Sequence, residues 1–193
     1  MTNHLEEKPP GAGKSSFELI DSDILFRELP ITKVTAFLDL GCGKGAYSIE
    51  ALKRIGKNGQ VYAVDLWAEG VAMLRARAEE EGFTNLTASV ADLRGEIPIE
   101  TDSVDVCLMS TVLHDLVEGD VYKGALNEAA RALKPGAALA VVEYKKMDGP
   151  PGPPQAIRLA PEEVRDLTVP FGFGAGSVTD LGPYHYLSLF HKA

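Results

Sequence analysis

Hydrophobic and polar positions follow two rhythms along this chain. Short apolar runs at 36–40, 61–64, 86–90, 104–109 and 138–144 have the length of β-strands. The run at 104–109 is nearly all apolar, as expected of a strand covered on both faces. Between these runs lie stretches with helical spacing. One covers 45–55. A second covers 68–81, with Val71, Leu74 and Ala78 on one face and Gly82 as its stop. A third covers 120–133, ended by Pro135-Gly136. A lead-in helix is predicted over 17–29, where Ile20, Ile24, Leu25 and Leu29 are apolar and Asp21 or Ser22 caps the start. Pro161-Glu162-Glu163-Val164 opens another helix, with proline at a favoured first position. The segments 177–181 and 184–190, around Gly182-Pro183, read as two strands joined by a short turn. In the second of them Tyr184 and Tyr186 share a face and His185 points away. Strands alternating with helices predict an α/β fold with a mostly parallel sheet, and the last two strands, with no helix between them, pair antiparallel. The division is a flexible or ligand-ordered arm over 1–16 and a single domain over 17–193, with no repeats.

Composition narrows the classes of function. The chain has 193 residues, enough for one sizeable core. Its formal net charge is -9, and its only close basic pairs are Lys53-Arg54 and Lys145-Lys146, which argues against a nucleic-acid partner. No apolar run approaches a membrane span, and the polar start has no signal-peptide core. Two cysteines, Cys42 and Cys107, make no disulfide framework. The expected compartment is a reducing cytoplasm. No spacing of ligands for a metal is present.

The chemistry centres on Phe37-Leu38-Asp39-Leu40-Gly41-Cys42-Gly43-Lys44-Gly45-Ala46-Tyr47. A strand runs into a glycine cluster and then into a helix. Glycine lets backbone lie directly against a ligand, and the helix aims unpaired N–H groups and the positive end of its dipole at the same place. Asp65, about 20 residues on at the end of the second strand, is placed to accept both ribose hydroxyls of an adenosine. That much fits both NAD and S-adenosylmethionine. Three further features separate them: Asp92 after the third strand, where a carboxylate can accept from an adenine amino group; Asp105 at the start of the fourth strand; and the closing two-strand hairpin, in place of further strand–helix units.

With these features the sequence resembles the class I S-adenosylmethionine-dependent methyltransferases over about 17–192. The matches are Leu38-Asp39-Leu40-Gly41-Cys42-Gly43-Lys44-Gly45, Val64-Asp65-Leu66, Ala91-Asp92-Leu93 and Leu133-Lys134-Pro135-Gly136. Val112-Leu113-His114-Asp115-Leu116 is similar to a segment of the ubiquinone/menaquinone-type small-molecule methyltransferases. The resemblance implies a Rossmann-like three-layer sandwich with a seven-stranded sheet in the order 3-2-1-4-5-7-6, strand seven antiparallel. It implies that Gly41, Cys42, Gly43 and Gly45 form the loop against the methionine and ribose parts of S-adenosylmethionine, and that Asp39 organises the amino-acid end. Asp65 would take the ribose hydroxyls, Leu66 and Trp67 would flank the adenine, and Asp92 and Leu93 would meet its edge. Ser110 would border the methyl group.

His114 follows the strand nearest the reaction centre. A neutral imidazole there can take a proton from a substrate, or it can simply hydrogen-bond to backbone. Cys42 lacks a base, so it is a packing residue of the loop rather than a nucleophile, and Cys107 belongs to the core. Pro9-Pro10-Gly11-Ala12-Gly13-Lys14-Ser15 imitates a phosphate loop, but Lys8 stands where its first glycine belongs and no strand precedes it. It reads instead as a segment closing over the cofactor. Met109-Ser110-Thr111-Val112 stands where nucleobase amino-methyltransferases carry an Asn/Asp-Pro-Pro-aromatic tetrapeptide, which argues against base methylation. The expected reaction is methyl transfer to a small-molecule acceptor. An NAD-dependent oxidoreductase and a non-catalytic S-adenosylmethionine-binding protein are the competing readings, and the first of these needs a nicotinamide site for which the chain has little room.

Overall fold

The computed structural model describes residues 13–193. The first twelve residues, with most of the expected arm and the first half of the phosphate-loop imitation, lie outside the described part. A short 3-10 turn at Phe17–Leu19 precedes α1 (Ser22–Glu28), β1 (Ala36–Leu40), α2 (Ala46–Ile55), β2 (Gln60–Asp65), α3 (Ala68–Glu80) and β3 (Leu86–Val90). The second half comprises β4 (Val104–Ser110), α4 (Leu113–Glu118), α5 (Tyr122–Ala132), β5 (Leu133–Tyr144), α6 (Pro161–Thr168), β6 (Phe173–Asp180) and β7 (His185–Lys192). The strands form one sheet in the order β3-β2-β1-β4-β5-β7-β6, with β7 antiparallel to both neighbours and the other pairings parallel. This is the order implied by the family resemblance.

Alternation along the strands divides the core. Phe37, Val61, Ala63 and Val106 pack with Leu25 of α1, Leu52 of α2 and Leu74 of α3 on one face. Leu38, Leu40, Val64 and Cys107 pack with Leu113 of α4, Leu126 of α5 and Val164 of α6 on the other. Parallel strands with both faces covered read as continuous apolar runs, which is why β4 was so plain in the sequence.

Three local expectations need correction, and one helix, α4, was not foreseen. The lead-in is a 3-10 turn and a separate helix, because Asp21 caps α1 through its carboxylate, which accepts from Ile24 N–H at 3.0 Å. Pro135-Gly136 does not stop a helix. Helix α5 ends earlier and β5 begins at Leu133, with a register shift between the Val104–Leu133 and Val106–Ala138 pairs and Gly136 at φ +77°. The six-residue helix α4 follows β4, turned by Thr111 at a left-handed φ of +51°. Finally, β7 starts at His185, so Tyr184 precedes the strand. His185 is fully buried with neither ring nitrogen hydrogen-bonded. Burial pushes its pKa down to about 4, against a smaller opposing effect of the Leu19 backbone.

Asp105 is structural and far from the strand ends that build the site. Its carboxylate accepts from Ala36 N–H at 2.8 Å and pairs with Lys134 at 2.6 Å. The loop at 149–154 is held from within by Arg158, which is 1% exposed and donates to the carbonyls of Lys145, Gly149, Pro151 and Pro153.

Candidate functional site

The site sits at the carboxyl ends of β1, β2, β4 and β5, where β4 and β2 lie on opposite sides of β1 and the crossovers part. The glycine loop leaves β1 and is held by one carbonyl: Val64 O accepts from Gly41 N–H at 2.8 Å and from Cys42 N–H at 3.1 Å. Gly45 is the N-cap of α2 at φ +75°, and no side chain caps that helix start. The helix dipole therefore opens toward the loop. A Cβ on Gly45 would stand 2.3 Å from Leu74 Cδ1. Gly45→Ala is expected to cost about 2–4 kcal/mol of stability, from the clash and the left-handed backbone together, read as a lowered Tm. Gly43 is different. It has φ +53° and nothing within 4 Å of where its Cβ would stand, so the loop leaves open space for a ligand.

Two carboxyl groups flank this loop. Asp39 is 1% exposed and accepts from Ser48 Oγ of α2 at 2.5 Å. Burial raises its pKa to about 7, the Ser48 hydrogen bond opposes, and the Asp65 charge adds to the rise. Asp65 Oδ2 accepts from Gly43 N–H at 2.7 Å and Oδ1 accepts from Trp67 N–H at 2.8 Å. Each oxygen keeps a further lone pair for a ligand. Trp67 is buried and faces Lys44, whose Nζ lies 5.7 Å from the ring centroid. Burial pushes the Cys42 thiol well above its usual pKa, and burial likewise raises Cys107, so neither thiol is activated.

Farther along the strand ends, Asp92 is held by Arg94, whose Nε lies 2.7 Å from Oδ2. Leu93 turns its side chain into the core. Ser110 ends β4 and meets a residue that the sequence did not single out. Ser16 Oγ lies 2.7 Å from Tyr47 OH, 3.2 Å from Thr111 Oγ1 and 3.4 Å from Ser110 Oγ. Gly13, Lys14 and Ser16 thereby join Gly43, Tyr47 and Thr111 around one cleft. The described end of the arm thus forms one wall.

Beyond Thr111, the expected His114 meets a second residue that the sequence did not single out, Glu143. His114 Nδ1 is 2.7 Å from Glu143 Oε2, and His114 N–H donates to Glu143 Oε1 at 3.1 Å. Both side chains are buried. Burial favours the neutral ring, but the hydrogen bond and charge of Glu143, with the charges of Asp115 and Glu118, outweigh it and raise the pKa of His114. Glu143 was legible in principle as one charged residue in the apolar run 138–144. Ser16, Ser48 and Tyr47 carried no such signal. Among the described residues no three His, Cys, Asp or Glu side chains cluster as a metal site, and no helix is long and apolar enough to cross a membrane.

Residues 37–136, from β1 through the start of β5, match the family described as "Methyltransferase domain". The chain is 33% identical over 116 residues to the ubiquinone/menaquinone biosynthesis C-methyltransferase UbiE of Chromobacterium violaceum, covering 60% of this chain and 46% of that protein. It is 30% identical over 113 residues to the 2-phytyl-1,4-naphtoquinone methyltransferase of Trichormus variabilis, covering 56% of this chain and 46% of that protein. The chain thus spans about half the length of these curated relatives. A solved SAM-dependent methyltransferase from Aquifex aeolicus superposes with a TM-score of 0.84 and 27% identity, covering 96% of this chain and 95% of that one. The chain belongs to the methyltransferase-domain family, the class I S-adenosylmethionine-dependent methyltransferases.

Proposed function

We propose that this protein transfers a methyl group from S-adenosylmethionine to a small-molecule acceptor. The observation that carries the reading is the open loop at Gly43, flanked by the carboxyl groups of Asp39 and Asp65 and by the uncapped start of α2. A ligand with an ammonium, a ribose and no phosphate suits two acids better than a dinucleotide does, since a pyrophosphate would meet their charge. In this reading Asp39 faces the amino-acid end, Asp65 takes the ribose hydroxyls, and Leu66 and Trp67 border the adenine. Asp92 and the Leu93 backbone lie at the adenine edge. Cys42 packs the loop, and Ser110 borders the methyl.

When bound, S-adenosylmethionine supplies an electrophilic methyl on a good leaving group. The chain's own work is positional. The loop and Asp65 fix the donor, the wall at Ser16, Tyr47, Ser110 and Thr111 narrows the space beyond it, and His114 stands at the acceptor end. Alignment of this kind lowers barriers by about 7–11 kcal/mol in favourable systems. The quinone-pathway names of the curated relatives support a small, ring-containing acceptor. The formal net charge of -9 supports an acceptor other than nucleic acid.

Calorimetry with S-adenosylhomocysteine is the test. The expected Kd is micromolar or tighter, and weaker than for NADH is the result that would overturn the proposal.

A further inference from the structure

Of the described arm, Gly13 to Ser16, only Ser16 is buried, at 1% exposure. A serine hydroxyl has one hydrogen to donate and two lone pairs. Three other hydroxyls take these up: Tyr47 of α2 at 2.7 Å, Thr111 at 3.2 Å and Ser110 of β4 at 3.4 Å. Nothing of Ser16 is left for a ligand, so its contacts fasten the arm to the domain. Tyr47 is a steady partner. Burial pushes its pKa up to about 12, against the hydrogen bonds of Ser110 and Ser16, and the phenol stays neutral. The Phe17 ring packs edge-on against Tyr47 at 5.1 Å. The chain is pinned again at Asp21, whose N–H donates to Leu181 O at 3.0 Å. Thr111 faces the arm from the other side of the cleft. Its φ of +51° is a left-handed backbone that a β-branched residue adopts only under strain and that glycine would adopt freely. Its N–H donates to Val142 O at 2.8 Å and fixes the turn. Were Thr111 needed only to lead the chain into α4, its side chain would add strain and nothing else. Here the strained turn aims Oγ1 at Ser16.

Resting on the S-adenosylmethionine reading above, we infer that Ser16 and Thr111 are positioning residues that form a latch, which fastens Gly13, Lys14 and Ser15 beside the glycine loop and gates the entry and exit of the S-adenosyl ligand. The three arm residues line the same cleft as Gly41 and Gly43, so a ligand lying against Gly43 lies beside the arm. The latch is made of protein groups alone. Its loss therefore eases opening to the same extent with and without ligand. Association and dissociation quicken together, and affinity stays nearly constant. A residue that touched the ligand would behave otherwise: its loss would raise the dissociation rate and the Kd with it. A residue that served stability alone would lower Tm and leave both rates as they were. Each hydroxyl contact is worth enough to change the open population by about 10-fold. The strain at Thr111 belongs to the same device. A residue free of strain at this turn, glycine, carries no hydroxyl to hold the arm.

Three measurements on the full chain test this. The first is stopped-flow binding of S-adenosylhomocysteine, read from the fluorescence of Trp67, the chain's only tryptophan. Ser16→Ala and Thr111→Val are each expected to raise the association and dissociation rate constants by about 10-fold, with Kd within about threefold of wild type. Thr111→Ser keeps the hydroxyl and is expected to keep both rates within about threefold. The second is tryptic cleavage after Lys14, measured without ligand. Lys14 is exposed, so opening of the segment around it sets the rate. Cleavage is expected to be about 10-fold faster in Ser16→Ala and in Thr111→Val. The third compares two variants that both lack the hydroxyl and differ mainly in backbone strain. The Tm of Thr111→Gly is expected to lie above that of Thr111→Val by about 2–4 °C. A raised Kd with an unchanged association rate in Ser16→Ala makes Ser16 a ligand contact and overturns the inference. Cleavage after Lys14 at the wild-type rate in both variants also overturns it, as does a Tm for Thr111→Gly at or below that of Thr111→Val. Each of these outcomes leaves cofactor binding standing. Failure of the wild-type protein to bind S-adenosylhomocysteine overturns both readings.

Discussion

Asp65→Ala is expected to weaken S-adenosylhomocysteine binding by about 100-fold or more, a loss of ~3 kcal/mol. The carboxylate has two duties at once. Within the protein it receives the N–H groups of Gly43 and Trp67, one on each oxygen, and so ties the glycine loop to the start of α3. Toward the ligand, in the proposed reading, it would offer its remaining lone pairs to the ribose hydroxyls. Hydrogen bonds to a charged group are worth about 1.5–3 kcal/mol each, and alanine forfeits the ligand's pair while also releasing the loop. Asp65→Asn separates the duties. Its carbonyl oxygen replaces one acceptor, but its NH2 faces a backbone N–H that has nothing to donate to. An intermediate affinity is therefore expected from calorimetry, with the apo Tm falling less than in the alanine variant. Affinity within about threefold of wild type for both variants would remove Asp65 from the ribose site.

The strand–loop–helix unit carrying this residue was legible because several local signals agreed. The apolar run of β1, the glycines at 41, 43 and 45 and the acid ending β2 each demand the same geometry. The sheet order was legible through resemblance, and the structure has it. What escaped was of two kinds. The start of β5 was masked by Pro135-Gly136, which reads as a helix stop yet lies inside a strand. There a bulge admits a proline and a left-handed glycine that a regular ladder would reject. The other misses were long-range. Ser16 meets Ser110 across 94 positions, and His114 meets Glu143 across 29. No periodicity in either segment predicts its partner. The position of His114 was readable from the strand it follows. The side chain that fixes its ring required the parallel register of β4 and β5, which sets Ser110 beside Val142 and so brings Glu143 to the start of α4.

Asp39→Asn is expected to change stability in a strongly pH-dependent way. The wild-type carboxyl is buried, and burial holds its pKa at about 7 against 3.8 for an exposed group. Between those values the unfolded chain has lost this proton and the folded protein still holds it. The folded state thus binds more protons, and stability falls as pH rises through the window, levelling off above about 7. The full gap corresponds to ~4 kcal/mol. Asparagine has no proton to lose, and its carbonyl oxygen still accepts from Ser48. The Tm of the variant minus that of wild type should therefore grow by about 5–10 °C between pH 5 and pH 8, measured without cofactor. A difference independent of pH would mean that Asp39 ionises at an ordinary value. The same group predicts a proton linked to binding. An ammonium placed beside Asp39 favours its charged form, so ligand binding near pH 6.5 should expel a proton from the wild-type protein. Calorimetry of S-adenosylhomocysteine in two buffers of different ionisation heat should detect that release in wild type and none in Asp39→Asn, whose affinity should fall by about 10-fold. Proton release in both proteins would assign the linkage to another group. Its absence from both would separate Asp39 from the amino end of the ligand. The buried acid is thus costly to the empty fold, and in the proposed site it would recover that cost when a cation sits against it, as selectivity for a charged amino-acid end requires.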